Sequence, residues 1–458
     1  MNPTFLPQFR RRARHLSLAI VALVAASTAS ADDLLQIYNL AVTNDPEIRQ
    51  ARATFNASHT LLDQGKSFLL PTVSLDGTTS RDTTGLADRD TDPNPPDRQH
   101  SFSNSFISKS YGLNLRQALM NFQAWYAYQA ARRDDEAAAT RLVQSEQALI
   151  MKVATAYFAV LRSQENLATF RAEQDASNQV LDQTQQRFDV GLIPITDVYD
   201  SQASADLAAV NTLVEENNLN QSLEALEAIT GQPHNNVAEL RDDFPIVSID
   251  PIDMNEWVNL AQQGNLDIKL AALDLAAKEQ SAKAARAALY PTLDLTANYN
   301  WNESANPFSF FPAAANERSS VAINLTVPLF AGGLNSARKR QAYYTRDASE
   351  EALLKSRRDN TQSTRNSYRS VETDVRSVAA QAQFIVSAQS ALDATQVGVE
   401  VGTRNVVELV LAQRSRFQAQ RNYDNARFQY VMDTLALKQA AGLLTPQDVM
   451  DLNEGLAE

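Results

Sequence analysis

Apolar and polar residues alternate with a period of two in four places along the chain. From Thr72, Val73 and Leu75 alternate with Thr72, Ser74 and Asp76; later Ile107, Tyr111, Leu113 and Leu115 alternate with Ser108, Ser110 and Asn114, with Lys109 interrupting the apolar set. Leu293, Leu295, Ala297, Tyr299 and Trp301 alternate with Thr292, Asp294, Thr296, Asn298 and Asn300. Val321, Ile323, Leu325, Val327 and Leu329 alternate with Ser320, Ala322, Asn324 and Thr326. A period of two puts one side-chain class on each face of a strand. The pattern predicts two β-hairpins of strands about 10 residues long, the length that crosses a bilayer when tilted. The hairpin loops fall at Gly85–Ser101, rich in Asp, Pro and Asn, and at Asn302–Arg318. A small soluble sheet with one face under a helix fits the same alternation.

Between the hairpins the period changes. From about Leu119 to Val190 there is no glycine or proline, and Leu142, Leu149, Val153, Ala156, Val160, Leu167 and Phe170 recur at steps of three, four and seven. That is the seam of a long coiled-coil-like helix. Leu334 to Val397 is a second such segment. Each long segment leads into a near-copy of one turn. Arg187 to Val198 reads RFDVGLIPITDV, and Val397 to Leu409 reads VGVEVGTRNVVEL. Setting Gly191 on Gly402 places Asp197 opposite Glu408. Returning helices are predicted over Thr196–Thr230 and from about Val406 to Ala441, with a loosely ordered polar tail from Gly442. Helices are also predicted over 32–68, with a start signal inside it at Asn44-Asp45-Pro46-Glu47, and over 256–289, with an echo at Asn265-Leu266-Asp267-Ile268. Leu69-Leu70-Pro71-Thr72 recurs as Leu289-Tyr290-Pro291-Thr292. These landmarks recur in the same order, so a tandem repeat is expected: residues 32–250 and 251–458, each running helix, hairpin, very long helix, turn, helix.

The first residues read differently. Arg10, Arg11, Arg12 and Arg14 precede a short apolar run, Leu16 to Ala26, and Ala29-Ser30-Ala31 is an A-x-A site. Residues 1–31 are therefore expected to be a signal peptide. Losing its four arginines takes the formal charge from −13 to −17. Such acidity without basic clusters argues against a nucleic-acid partner. The chain has no cysteine, and the scattered histidines (His15, His59, His100, His234) have no metal-ligand spacing. No cofactor is expected. No nucleophile–base–acid set is visible, so an enzyme is not expected. Beyond the signal no run of about 18 apolar residues occurs, which leaves a periplasmic, secreted or outer-membrane protein.

Four strands cannot close a barrel, and lipid does not tolerate open sheet edges. If the strands cross a membrane, several chains must share one barrel, and three would give twelve strands. Two competing readings are a passive porin, which would need more strands per chain and no long helices, and a coiled-coil tether spanning the periplasm, which would need no strands.

Several consecutive runs carry a more specific likeness: Thr155-Ala156-Tyr157-Phe158, Leu181 to Phe188, Val190-Gly191-Leu192, Ile195-Thr196-Asp197-Val198, Pro291 to Ala297 and Val401-Gly402-Thr403-Arg404. In these the chain resembles the outer membrane efflux protein family, whose TolC-like members are the trimeric exit channels of multidrug efflux pumps and type I secretion systems. The resemblance covers essentially the whole mature chain. It implies an α+β fold in which an outer-membrane β-barrel, four strands per protomer and twelve per trimer, continues as a long α-helical periplasmic tunnel. It also implies a homotrimer working with a periplasmic adaptor and an inner-membrane pump of RND or ABC type.

The resemblance assigns residues as well. Arg404 of one subunit would close the periplasmic end against Thr196 and Asp197 of the next, an arginine fork on a hydroxyl and a carboxylate. Asp197 would equally serve as a cap on the helix it opens. Glu408 matches a position whose side chains ring the lumen. Gly191, Leu192 and Gly402 match the turns presented to the adaptor, although glycine in a tight turn needs no partner to explain it. Two positions depart from the family: Val399 stands at a gate tyrosine and Leu411 at a second acidic ring. The expected gate therefore rests mainly on Arg404, with weaker block by cations.

Overall fold

The computed structural model describes residues 32–87, 101–304 and 315–457. The expected signal segment and the tips of both hairpins lie outside the described residues. The elements run α1 (Leu34–Asn44), α2 (Pro46–Ser67), β1 (Thr72–Ala87), β2 (Ser101–Met120), α3 (Phe122–Asp189), α4 (Ile195–Thr230), α5 (Met254–Gly264), α6 (Leu266–Ala287), β3 (Thr292–Ser304), β4 (Ala315–Thr326), α7 (Leu334–Glu400), α8 (Val406–Ala440) and α9 (Pro446–Asn453).

The predicted helix over 32–68 is two helices. The Asp45 carboxylate accepts from the backbone N–H groups of Glu47 (2.7 Å) and Ile48 (3.1 Å), and Pro46 occupies the first turn. The side chain thus satisfies amides that a continuous helix would have bonded internally, and a second helix starts there. Asn265 does the same for α6, accepting from Asp267 (2.9 Å) and Ile268 (3.1 Å). Asn44 Nδ2 donates to Thr230 O (2.8 Å), and Asn265 Nδ2 donates to Ala440 O (3.0 Å). The end of α4 is therefore tied to the start of α2, and the end of α8 to the start of α6.

α3 and α7 have 68 and 67 residues. At about 1.5 Å per residue each spans on the order of 100 Å. The predicted seam is real: Leu149, Val153, Ala156, Val160 and Leu167 are all buried. The main core sits halfway along these helices, where α1, α5 and α9 wrap them. Tyr157 and Phe158 of α3 lie fully buried there beside Phe428 of α8, and the Tyr157 hydroxyl donates to Ala238 O (2.7 Å). Both ends of the long helices therefore project from a central belt, one end carrying the sheet and the other the turns.

The residues after Gly442 are not a loose tail. Leu444, Val449 and Leu456 are buried, α9 carries a capping box between Thr445 and Asp448, and Leu456 pairs with Leu240 in a β-bridge. Leu444, Val449, Leu452 and Leu456 carry enough apolar surface to dock a short helix on the belt, and the polar residues between them hid that pattern.

The sheet is antiparallel in the order β1-β2-β3-β4. Its strands have 16, 20, 13 and 12 residues, longer than the expected 10 for each. β4 ends at Thr326, so Val327 and Leu329 lie outside it; Pro328 has no N–H to give a ladder. In register, Val73, Leu115, Ala297 and Val321 form one row across all four strands, and Leu75, Leu113 and Tyr299 form the next. Every predicted apolar position that lies within the four strands thus falls on one face. That face is bare: Leu75, Val321 and Ile323 are 78%, 76% and 64% exposed. The opposite face is polar and cross-linked, with Asn114 donating to Asp76 (2.6 Å) and Arg116 paired with Asp294 (3.3 Å). Among the described residues no helix is long and apolar enough to cross a membrane.

Candidate functional site: the paired turns and the open sheet

The two turns close alike. In the first, Gly191 N–H donates to Phe188 O (2.8 Å) and Leu192 N–H to Arg187 O (2.9 Å); in the second, Gly402 N–H donates to Val399 O (3.3 Å) and Thr403 N–H to Gly398 O (2.8 Å). Gly191 and Gly402 have φ of 79° and 76°. Nothing lies within 4 Å of where a Cβ would stand at either. Backbone conformation, not crowding, therefore demands glycine at both. Apolar side chains crown the turns, with Val190, Leu192 and Val401 each more than two-thirds exposed.

The expected gate residues fall into two groups within one chain. Thr196 and Asp197 sit in the first turn of α4, where the Thr196 hydroxyl approaches the Asp197 carboxylate at 3.4 Å. Asp197 does not cap α4. The N-cap position is Pro194, and no side chain bonds the free amides there. Arg404 is paired with Glu408, Nη1 to Oε2 at 2.6 Å, across one turn at the start of α8. Asn405 caps that helix by accepting from Glu408 N–H (2.8 Å). Glu408, expected as a separate lumen group, is thus bonded to the expected gate arginine. Opposite charges four residues apart at a helix start are the signal that could have shown it. Val399 and Leu411 stand near the turns without an acid or hydroxyl to add.

Three further side chains brace the turns and the bundle behind them, and sequence reading gave them no role. Arg187 Nη1 donates to Val399 O at 3.3 Å, tying the end of α3 to the end of α7. Deeper in the bundle Arg421 of α8 pairs with the buried Glu173 of α3 at 2.7 Å and lies over the Phe170 ring at 4.1 Å. This buried pair is a second tie between the two helical pairs. Both residue types are common on solvated coiled-coil faces, so spacing alone did not single them out.

An unclosed amphipathic sheet at one end of a 100 Å helical bundle, with paired turns and ionic residues at the other, defines a class: channels assembled from several copies that cross an outer membrane and reach into the periplasm. The comparisons agree. The family model described as "Outer membrane efflux protein" matches residues 37–232 and 257–443, and the chain belongs to that family. It is 32% identical over 432 residues to outer membrane protein TolC of Vibrio cholerae serotype O1, covering 94% of this chain and 95% of that one. It is 25% identical to the alkaline protease secretion protein AprF of Pseudomonas aeruginosa, covering 93% and 88%. Among solved structures, the outer membrane protein VceC of Vibrio cholerae superposes with a TM-score of 0.74 at 19% identity, covering 89% and 96%. The protein is located in the outer membrane.

Proposed function

We propose that three copies of this chain form one exit duct. Each contributes four strands to a twelve-stranded barrel, and β4 of one copy pairs with β1 of the next. The long helices continue the barrel as a tunnel across the periplasm. The duct serves an inner-membrane pump of RND or ABC type, joined through a periplasmic adaptor that reaches the exposed crown at Gly191, Leu192 and Gly402. Its cargo is small-molecule drugs, secreted protein, or both; the likeness to a protein named for alkaline protease secretion supports the second. The observation that carries this reading is the sheet, with both edges open, one face bare and apolar and the other polar. Lipid and further strands satisfy such a sheet, and water does not.

The periplasmic end is a gate. In the closed trimer Arg404 turns from Glu408 to Thr196 and Asp197 of the neighbouring copy, and Glu408 is left facing the lumen axis. One exposed pair is worth only ~0.2–1 kcal/mol, so the three symmetric copies act together. The test is single-channel conductance of the purified protein in a planar bilayer, beside the double variant Asp197→Ala, Arg404→Ala. Small wild-type steps that grow severalfold in the variant support the gate. Equal conductance moves the constriction elsewhere. No conductance from a folded trimer removes the channel and leaves a tether.

A further inference from the structure

Four helix ends meet the sheet at one level: the ends of α2 and α6, which run into β1 and β3, and the starts of α3 and α7, which follow β2 and β4. Exposed aromatic side chains crowd this level. Phe68, Phe122, Trp125 and Tyr290 are all exposed, Phe330 is 88% exposed, and the rings of Phe122 and Tyr290 meet edge to face at 6.2 Å. Tyr111 and Trp301 stack at the far edge of the apolar face. Eleven residues separate Tyr111 from Phe122, about 37 Å along the chain and about 28 Å in depth at a tilt of about 40°, close to the ~25 Å height of an apolar band. The helix ends therefore lie where hydrocarbon gives way to headgroups on the periplasmic side.

The charge at that level is the reverse of the chain's. The last two turns of α2 and α6 and the first two of α3 and α7 hold Lys66, Lys283, Arg286, Arg338, Lys339 and Arg340, against Asp63 as their one carboxylate, in a chain of formal charge −13. Lower on the helices cations are paired, as in Arg133–Glu136, Lys355–Asp359 and Arg376–Glu372; among the described residues none of these six is. Five are exposed and Lys339 is half-buried. The cations that end α2 and α6 suit the negative ends of those helices, but Arg338, Lys339 and Arg340 open α7, where the helix dipole favours anions and no acidic residue stands in the first turn. Arg338 and Arg340 lie about 200° apart around α7, with Lys339 between them, so cations reach both sides of that helix. Arg338 also lines a cleft of about 210 Å³ between α6 and α7, with Lys278, Ser281, Gln341 and Thr345. Lys278 there pairs with Asp274 at 3.4 Å.

Three unpaired cations at a helix start call for an anion from outside the chain, and their level says which. The headgroup layer is about 5–7 Å deep on each side of the hydrocarbon. Arg338 stands four residues below the start of α7, about 6 Å, so its side chain lies among headgroups. Phosphate is the anion found there, and a guanidinium fork matches it. We propose that this collar binds anionic phospholipid of the periplasmic leaflet, with Arg338, Lys339 and Arg340 as its chief partners and the cleft between α6 and α7 seating one phosphate. A zwitterionic headgroup brings an ammonium that unpaired cations repel, so the preference is for lipid of net negative charge. The proposal rests on the sheet lying in lipid and is independent of the gate and the adaptor.

The test uses the full-length protein in phosphatidylcholine vesicles, with Phe330→Trp as a reporter beside Arg338 in a Trp125→Phe, Trp301→Phe background; Trp257, the remaining tryptophan, is buried in the helical body. Quenching by brominated phosphatidylglycerol diluted in unlabelled phosphatidylcholine is compared with quenching by brominated phosphatidylcholine at the same fraction. The expected result is a preference for phosphatidylglycerol of about fivefold or more at low salt, lost in about 0.5 M salt. Adding Arg338→Gln, Lys339→Gln, Arg340→Gln should bring the two lipids to within about twofold of parity. Arg357→Gln, Arg358→Gln, Arg365→Gln removes the same charge about 28 Å or more further down α7 and should leave the preference intact. Should the first triple variant fail to assemble, Arg338→Gln alone is expected to lower the preference at least about twofold. Equal quenching by the two lipids overturns the proposal, as does a preference that survives the Arg338 variants or falls equally in the lower triple. Absence of quenching by either lipid overturns it together with the placement of the sheet in the membrane.

Discussion

Leu115 and Asn114 are neighbours in β2 that point to opposite faces of the sheet, so the same substitution at each tests which face meets lipid. Tyr111, stacked on Trp301 at 5.5 Å between ring centres, marks one aromatic edge of the apolar face. Four residues separate Tyr111 from Leu115, about 14 Å along the strand at ~3.4 Å each. With a tilt of about 40° this is a depth of about 10 Å, close to the middle of an apolar band about 25 Å tall. An arginine at mid-depth on the lipid face costs about 2–4 kcal/mol per copy. At about 1.4 kcal/mol per tenfold, Leu115→Arg should lower the equilibrium for insertion by one and a half to three powers of ten. Asn114→Arg should cost no more than about 0.5 kcal/mol. Asn114 already donates to the Asp76 carboxylate at 2.6 Å, and an arginine keeps that donor on a polar face. The assay is reversible urea unfolding from lipid vesicles, with the two variants read beside the wild type. If Asn114→Arg costs as much as Leu115→Arg, the faces are assigned wrongly. If neither costs anything, the sheet does not lie in lipid.

Two further predictions concern the helical body. Gly442 has φ of 72°, and a Cβ there would overlap the Gly264 carbonyl and lie 2.8 Å from Asn265 N. Gly442→Ala should lower the thermal midpoint well beyond Gly191→Ala, which meets no neighbour and bears only the backbone cost of about 1–2 kcal/mol; equal shifts would show that the joint yields freely. Burial, reinforced by a proton shared with Asp433 of α8, pushes the Asp374 carboxyl up to about 7 from 3.8. A raised folded-state value means that its contribution is complete below the unfolded pKa and is lost as pH rises through 7. Urea midpoints should therefore fall between pH 4 and pH 8, and Asp374→Asn, neutral throughout and still able to donate to Asp433, should shrink that fall. An undiminished fall in the variant would place its cause elsewhere.

Much of the architecture was written locally. Alternation at Leu293 to Trp301 demanded a strand with two unlike faces, because a strand turns each side chain over from the last. The absence of glycine and proline between Leu119 and Val190 demanded one long helix, and Gly191 and Gly402 marked its reversal and that of its counterpart. Asp45 and Asn265 announced helix starts through their side-chain oxygens, with Pro46 in the first turn of α2 and no proline in that of α6. The residues from Gly442 were misjudged because their few leucines and Val449 gain meaning only against the belt they dock on. β4 stopped short of Leu329 because Pro328 interrupts pairing that the alternation alone continued.

Sequence by itself determined the elements, the two faces of the sheet and the turn geometry, all set by interactions within a few residues. Tertiary structure alone decided which distant side chains meet. It put Arg187 on the Val399 carbonyl, Arg421 on Glu173 and Lys152 on Asp45. Those outcomes depend on how helices of about 100 Å are laid side by side, and a shift of one turn would change every pair while leaving the local pattern untouched.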